Sequence, residues 1–70
     1  MSEIKCIVGA RIKSHREANG VSQRTFCLMV GLNRTYYSGV ENGRRNISLE
    51  NLAKIAEGLN ITLEELFKDI

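Results

Sequence analysis

The chain has 70 residues, two cysteines, one histidine and no proline, and its formal net charge at pH 7 is +2. So short a chain forms one domain, residues 1–70, and it buries only about 60% of the surface that it would expose unfolded. Cys6 and Cys27 are not spaced as a CxxC pair and the single histidine does not complete a metal site with them, so neither a bound metal nor another cofactor is expected.

Charge is distributed unevenly along the chain. Residues 1–46 contain eight Lys or Arg and three Asp or Glu, a net +5, whereas residues 47–70 contain two and five, a net −3. This asymmetry is typical of a protein that binds a polyanion, although an ordinary solvated surface can have the same count. The sequence has no targeting peptide and no membrane span, which predicts a cytoplasmic protein without a membrane partner.

The apolar periodicity and the capping residues predict five short helices and an all-α fold. The first helix is expected from about Glu3 to Ala18, and Gly9 within it is expected to allow a close packing contact. The other four are expected to begin at the capping residues Ser22, Asn33, Ser48 and Thr62. The side chains expected inside the bundle are Ile4, Ile7, Val8, Ile12, Phe26, Met29, Val30, Tyr37, Val40, Leu49, Leu52, Ile55, Ala56, Leu59, Leu63, Leu66 and Phe67.

The third helix is expected to project from the bundle, because only Gly31, Leu32 and Asn33 connect it to the second. A polar helical face of this kind can enter the major groove of DNA, where donors and acceptors identify the base pairs. On a helical wheel its outward side consists of Thr35, Ser38, Gly39 and Asn42, flanked by Arg34 and Tyr36. The residues predicted to contact bases are Arg34, Thr35, Tyr36 and Ser38, with Arg34 the best candidate for guanine.

Residues around the third helix are predicted to contact the phosphate backbone, which fixes register without reading sequence. Ser22 and Gln23 open the second helix, whose free N–H groups attract anions. The loop beyond the third helix supplies Asn42, Arg44, Arg45 and Asn46. Two arginines in a loop are usually just solvated, and it is their position beside the projecting helix that favours phosphate contact.

Glu41 lies in the last turn of the third helix, where the helix dipole disfavours a negative charge. Its position on the wheel is inward, so it requires a partner cation. We expect a bidentate ion pair with Arg16, late in the first helix. The alternative is an ordinary surface pair, which would contribute only about 0–1 kcal/mol.

The segment VSQRTFCLMVGLNRTYYSGVENGRRNISLENLAKIAEGLNITLEELF resembles the helix-turn-helix domain of the Cro/CI (XRE) family of bacterial and phage transcriptional regulators. The resemblance rests on the Ser-Gln start of the second helix, the glycine in the turn, SGVENG and LAKIAEGL. It implies a five-helix, lambda-repressor-like domain with the helix-turn-helix at about residues 22–42, and a nucleoid-associated protein that binds operator DNA as a homodimer. It also implies that Gln23 and Asn42 touch phosphates, that Arg34, Thr35 and Ser38 face the bases, and that Arg16 pairs with Glu41.

Within that family, LNRTYYSGVENGRRN is similar to the controller proteins of restriction–modification systems. Two-fold pairing would place two recognition helices about 34–36 Å apart, one helical turn of DNA. The dimer surface is expected at Ile61, Leu63, Phe67 and Ile70, although these side chains would alternatively complete the core of the monomer.

A second hypothesis is a protein-interaction module or antitoxin, which binds a separate protein partner and for which DNA binding is secondary. An enzyme is not expected, because the sequence offers no paired-carboxylate cleft, no nucleophile beside a histidine and no glycine-rich phosphate loop after a strand.

Overall fold

The computed structural model describes residues 2–70, with Ser2 described by its backbone alone. Its helices are α1 (Ser2–Ala18), α2 (Gln23–Val30), α3 (Arg34–Glu41), α4 (Leu49–Leu59) and α5 (Leu63–Leu66). No strand occurs in this part of the chain, and none of its helices is long and apolar enough to cross a membrane. The predicted all-α fold of five helices is confirmed.

Local hydrogen bonds fix the starts of the last four helices. The side-chain oxygens of Ser22, Asn33, Ser48 and Thr62 each accept the backbone N–H three residues later, at 3.0–3.1 Å. Glu65 returns a bond to the backbone N–H of Thr62, which completes the predicted capping box. Each cap stabilises its helix by about 1 kcal/mol, so the short helices begin where their local chemistry places them.

The five helices share one hydrophobic core. Its largest fully buried side chains come one from each helix: Ile12, Phe26, Tyr37, Ile55 and Leu66. The ring centroids of Phe26 and Tyr37 are 5.4 Å apart, in a tilted arrangement that favours aromatic pairs. The inward face of α3 is therefore held against α2 by direct packing.

Four apolar side chains that the sequence pattern places inside the bundle are exposed instead. Ile4, Ile7, Met29 and Leu49 expose 46%, 41%, 57% and 78% of their surface. The predictions were wrong because a helical wheel gives the direction of a side chain, not whether another element covers it. A chain this short cannot cover every apolar face of its helices.

The packing of α1 against α3 requires the glycine at position 9. A Cβ atom built on Gly9 would lie 2.3 Å from the carbonyl oxygen of Val40 and 2.7 Å from that of Glu41. Both neighbours are backbone atoms, so neither can rotate away. The close contact predicted for Gly9 is confirmed, and it allows the last turn of α3 to pack directly against α1.

Arg11 joins α1 to the C-terminal end of the bundle. Its guanidinium Nη1 donates to the carbonyl oxygen of Leu66 at 3.2 Å and also to that of Lys68. These carbonyls lie at the end of α5, where no further helical N–H follows to bond them. The sequence pattern does not predict this contact, because its partners are more than 50 residues apart.

Candidate nucleic-acid interface

Helix α3 presents one side to the core and the other to solvent. Gly31 closes α2 with φ of +72°, and its N–H donates to the carbonyl oxygen of Cys27 at 2.8 Å. Three residues later α3 begins, and it buries Tyr37, Val40 and Glu41. Arg34 and Thr35 on its opposite side are exposed. No element among the described residues covers these two side chains, so they are available to a ligand.

A shallow concavity lies along this exposed side of α3. Three arginines and no acidic residue line it, which gives it a positive character. The lining residues are Gln23, Arg34, Thr35, Ser38, Gly39, Asn42, Arg44 and Arg45. All but Gly39 were predicted to contact DNA, and the structure brings these seven together on one surface.

Three other residues predicted to contact DNA do not line the concavity. The Ser22 hydroxyl caps the N-terminus of α2 by accepting the backbone N–H of Thr25. It also donates to the hydroxyl of Thr25 at 3.1 Å. Asn46 lines a neighbouring apolar depression together with Val8, among other residues. Tyr36 is half-buried on the flank of α3.

Arg45 lies on α3 instead of extending freely from the loop. A Cβ atom at Gly39 would lie 2.6 Å from the Cγ atom of Arg45, so the glycine leaves room for the arginine stem. The Arg45 Cζ atom is 5.6 Å from the centroid of the Tyr36 ring, within the range of a cation–π interaction. The Tyr36 hydroxyl accepts a hydrogen bond from Nδ2 of Asn51 at 3.2 Å. No pattern in the sequence indicates a role for Asn51, which lies in α4.

A buried ion pair fixes α3 relative to α1. Nε of Arg16 lies 2.7 Å from Oε2 of Glu41, and its Nη2 donates to Oε1 at 3.2 Å. The remaining Nη1 of Arg16 donates to the carbonyl oxygen of Val21 at 2.7 Å, in the α1–α2 connection. Both charged residues are buried, so this is not the ordinary surface pair considered as the alternative.

Glu41 also binds α2 through Gln23. Nε2 of Gln23 donates to Oε1 of Glu41 at 2.8 Å, so one carboxylate joins side chains of α1, α2 and α3. An amide nitrogen has two donors, and the second N–H of Gln23 is still available to an anion in the concavity. The predicted phosphate contact of Gln23 is compatible with this bond.

The ion pair is charged at neutral pH. Burial by itself would raise the pKa of Glu41, but the surrounding hydrogen-bonding groups, above all Arg16, outweigh it and hold that pKa below its ordinary value of 4.5. The bond to Glu41 in turn raises the pKa of Arg16. A buried pair of this kind is costly to break, because the remaining partner keeps an uncompensated charge.

A family model described as helix-turn-helix matches residues 12–66, which include the last seven residues of α1 and all four later helices. The chain belongs to the helix-turn-helix family. This confirms the resemblance to XRE-type regulators.

Individual helix-turn-helix relatives agree with the match. The chain is 52% identical to the control protein C.MunI of Mycoplasma sp over 71 aligned positions, which cover 100% of this chain and 96% of C.MunI. The restriction–modification controller protein C.AhdI from Aeromonas hydrophila has a solved structure that matches with a TM-score of 0.89 and 43% identity, over 93% of this chain and 98% of C.AhdI. The tetramer of the controller protein C.Esp1396I, in complex with its natural 35 base-pair operator, matches with a TM-score of 0.82 and 31% identity, over 91% and 84%.

The C-terminal apolar side chains of this helix-turn-helix protein lie partly inside and partly outside the bundle. Ile61, Leu63 and Phe67 pack against the core and remain half-buried, whereas Ile70 exposes 49% of its surface. The first three therefore contribute to the core of the monomer, and all four keep some apolar surface that a second copy can cover.

The Tyr37 hydroxyl is the one buried side-chain polar atom of the described residues that has no hydrogen-bond partner. Burial raises the pKa of Tyr37, and the nearby Glu41 carboxylate raises it further. The two groups are close enough for the carboxylate to act on the hydroxyl, but their geometry falls short of a hydrogen bond. An unpaired buried hydroxyl costs about 1–3 kcal/mol.

Tyr37→Phe is therefore expected to increase the free energy of unfolding by about 1 kcal/mol, because it removes the unpaired hydroxyl and keeps the ring. Urea unfolding of both proteins measures the change. Tyr36→Phe is the matched control, since its hydroxyl accepts a hydrogen bond and its removal should bring no gain. A loss of stability in Tyr37→Phe would mean that this hydroxyl does donate to Glu41.

Proposed function

We propose that this protein is a sequence-specific regulator of transcription that binds double-stranded DNA, with α3 in the major groove of a palindromic operator. The observation that carries the proposal is the exposed side of α3, which lines a concavity with three arginines and no acidic residue. The protein acts by binding and not by catalysis, and its place of action is the bacterial nucleoid. The operator-bound structure of the similar protein C.Esp1396I supports this function.

The exposed side chains of α3 divide into two functional groups. Arg34, at the start of the helix, offers two donors to O6 and N7 of guanine. Thr35 and Ser38 lie on the same side and meet base edges or a thymine methyl group. Arg44 and Asn42 lie beyond the C-terminal end of α3 and bind phosphates, which sets the register of the helix in the groove.

A homodimer is the proposed binding unit. One recognition helix of eight residues reads few base pairs, and a second copy related by two-fold symmetry doubles the site. Ile61, Leu63, Phe67 and Ile70 provide the proposed contact between copies, because each keeps apolar surface outside the monomer core. C.Esp1396I, which is crystallised as a tetramer on its operator, supports assembly on DNA.

Two arginine substitutions separate base reading from phosphate binding. Arg34→Ala is expected to weaken operator binding by about 1–3 kcal/mol and to relax the preference at one base pair of each half-site. Arg44→Ala is expected to weaken binding to all duplexes alike and to reduce the slope of log affinity against log salt by about 2, because each subunit of the homodimer loses one phosphate contact. Selection from a random duplex pool, followed by titrations at several salt concentrations, measures both effects.

The same experiment tests the proposed function as a whole. A palindromic selected sequence and a steep salt dependence are expected, since each phosphate contact releases counterions. An affinity that barely changes with salt would instead favour the protein-interaction module. An Arg34→Ala variant that kept the full sequence preference would remove Arg34 from the base contacts.

A further inference from the structure

Three side chains from separate segments form a connected series that ends in the DNA-facing concavity. Asn51 of α4 donates from Nδ2 to the Tyr36 hydroxyl at 3.2 Å. The Tyr36 ring lies under the Arg45 guanidinium, with 5.6 Å between Cζ and the ring centroid. Arg45 lines the concavity, whereas Asn51 and Tyr36 do not. The series therefore runs from outside the proposed DNA surface into it.

Each contact in this series restricts the next side chain. The hydrogen bond from Asn51 fixes the hydroxyl end of Tyr36, and the N-cap of α3 fixes its backbone, because Oδ1 of Asn33 accepts the Tyr36 N–H at 3.0 Å. The ring face then forms a flat support for a planar guanidinium. Gly39 contributes to the same packing, because its lack of a side chain leaves space for the aliphatic part of the Arg45 side chain.

We infer that Asn51 and Tyr36 are positioning residues that hold Arg45 ready for a DNA phosphate. An arginine in an exposed loop loses side-chain freedom when it binds, at a cost of about 0.5–1.5 kcal/mol for a side chain rich in rotamers. Packing on Tyr36 and Gly39 restricts Arg45 before DNA arrives, so less freedom is lost at binding. Asn51 lies in α4, so the affinity of the helix-turn-helix unit depends on a residue outside it. This inference rests on the proposed function.

The test is a set of titrations with the selected operator duplex. Asn51→Leu removes the amide donor without changing charge, and Tyr36→Phe removes the acceptor while keeping the ring. Each is expected to weaken binding about threefold to tenfold, and the double variant no more than either single one, because both break the same hydrogen bond. Placed on an Arg45→Ala background, neither substitution should weaken binding further.

Salt dependence distinguishes weaker positioning of Arg45 from loss of its phosphate contact. Arg45→Ala removes a phosphate contact from each subunit of the homodimer and should reduce the slope of log affinity against log salt by about 2. Asn51→Leu removes no charge, so its slope should stay close to that of the wild type while its affinity falls, because Arg45 still reaches the phosphate but loses more side-chain freedom on binding. Thermal unfolding of each variant checks that the fold is retained.

The possible outcomes distinguish a failure of this inference from a failure of the proposed function on which it rests. If the wild-type protein selects no duplex, the proposed function fails. If the wild type binds but Asn51→Leu keeps the wild-type affinity, the inference alone is overturned. The same holds if Asn51→Leu still weakens binding when Arg45 is already alanine, because Asn51 would then act by another route.

Discussion

Replacing Arg16 with methionine is expected to lower the free energy of unfolding by about 3–5 kcal/mol, because it leaves the buried Glu41 carboxylate without its cation. The pair is bidentate, with contacts of 2.7 and 3.2 Å, and both residues are buried. The same substitution removes the bond from Arg16 to the carbonyl oxygen of Val21. Urea unfolding at neutral pH measures the loss.

A matched control is Arg24→Met, which replaces an exposed arginine of α2 and should change stability by less than about 0.5 kcal/mol. The double substitution Arg16→Met with Glu41→Leu should recover much of the loss, because no uncompensated charge remains. An Arg16→Met protein as stable as the wild type would show that the pair contributes nothing to the fold.

The pH dependence of the wild type follows from the same pair. The pKa of Glu41 is lower in the folded protein than its ordinary value of 4.5, so the folded state binds this proton less readily than the unfolded state. The pair therefore stabilises fully above pH 4.5, and this contribution is lost as the pH falls through the lower, folded pKa. In Arg16→Met the bond from Gln23 remains but the guanidinium is gone, so the pKa of Glu41 rises relative to the wild type and the stability deficit should narrow in acid.

Gly9→Ala is expected to destabilise the protein by about 2–3 kcal/mol, although alanine is the better helix former. The added methyl group would overlap the carbonyl oxygens of Val40 and Glu41, which belong to the backbone and cannot move without displacing α3. Helix propensity alone predicts the opposite sign, a gain of about 1 kcal/mol. Thermal or urea unfolding decides between these two outcomes.

Ala10→Gly, at the next position, provides the control for propensity. Ala10 is exposed, so its replacement should cost only about 0.5–1 kcal/mol of helix stability. A Gly9→Ala protein more stable than the wild type would mean that α1 and α3 are farther apart than the structure shows.

The helices were predictable because their boundaries are set by neighbouring residues. The caps at Ser22, Asn33, Ser48 and Thr62 each act over three residues, a distance that the sequence shows directly. The outward direction of Arg34 and Thr35 follows from helical periodicity in the same way. Resemblance to the family then added the expectations of an operator and a homodimer.

Contacts between distant segments were harder to predict. Neither the bonds from Arg11 to the end of α5 nor the bond from Asn51 to Tyr36 has a pattern in the sequence, because each depends on how whole helices pack. Arg45 was predicted as a phosphate contact from its charge and loop, but its packing on Gly39 and Tyr36 depends on the path of the loop. Leu49 is an apolar example: the sequence pattern predicted that it is buried, but its burial depends on helix packing, and it is exposed.

The eight residues of α3 divide between a buried side and an exposed side. Tyr37, Val40 and Glu41 belong to the scaffold, whereas Arg34 and Thr35 extend beyond it and contribute nothing to its core. Exchanging such outward side chains changes stability by only about 0.5 kcal/mol. Point substitutions at these two positions can therefore change the chemistry of the exposed side of α3 while the fold is retained.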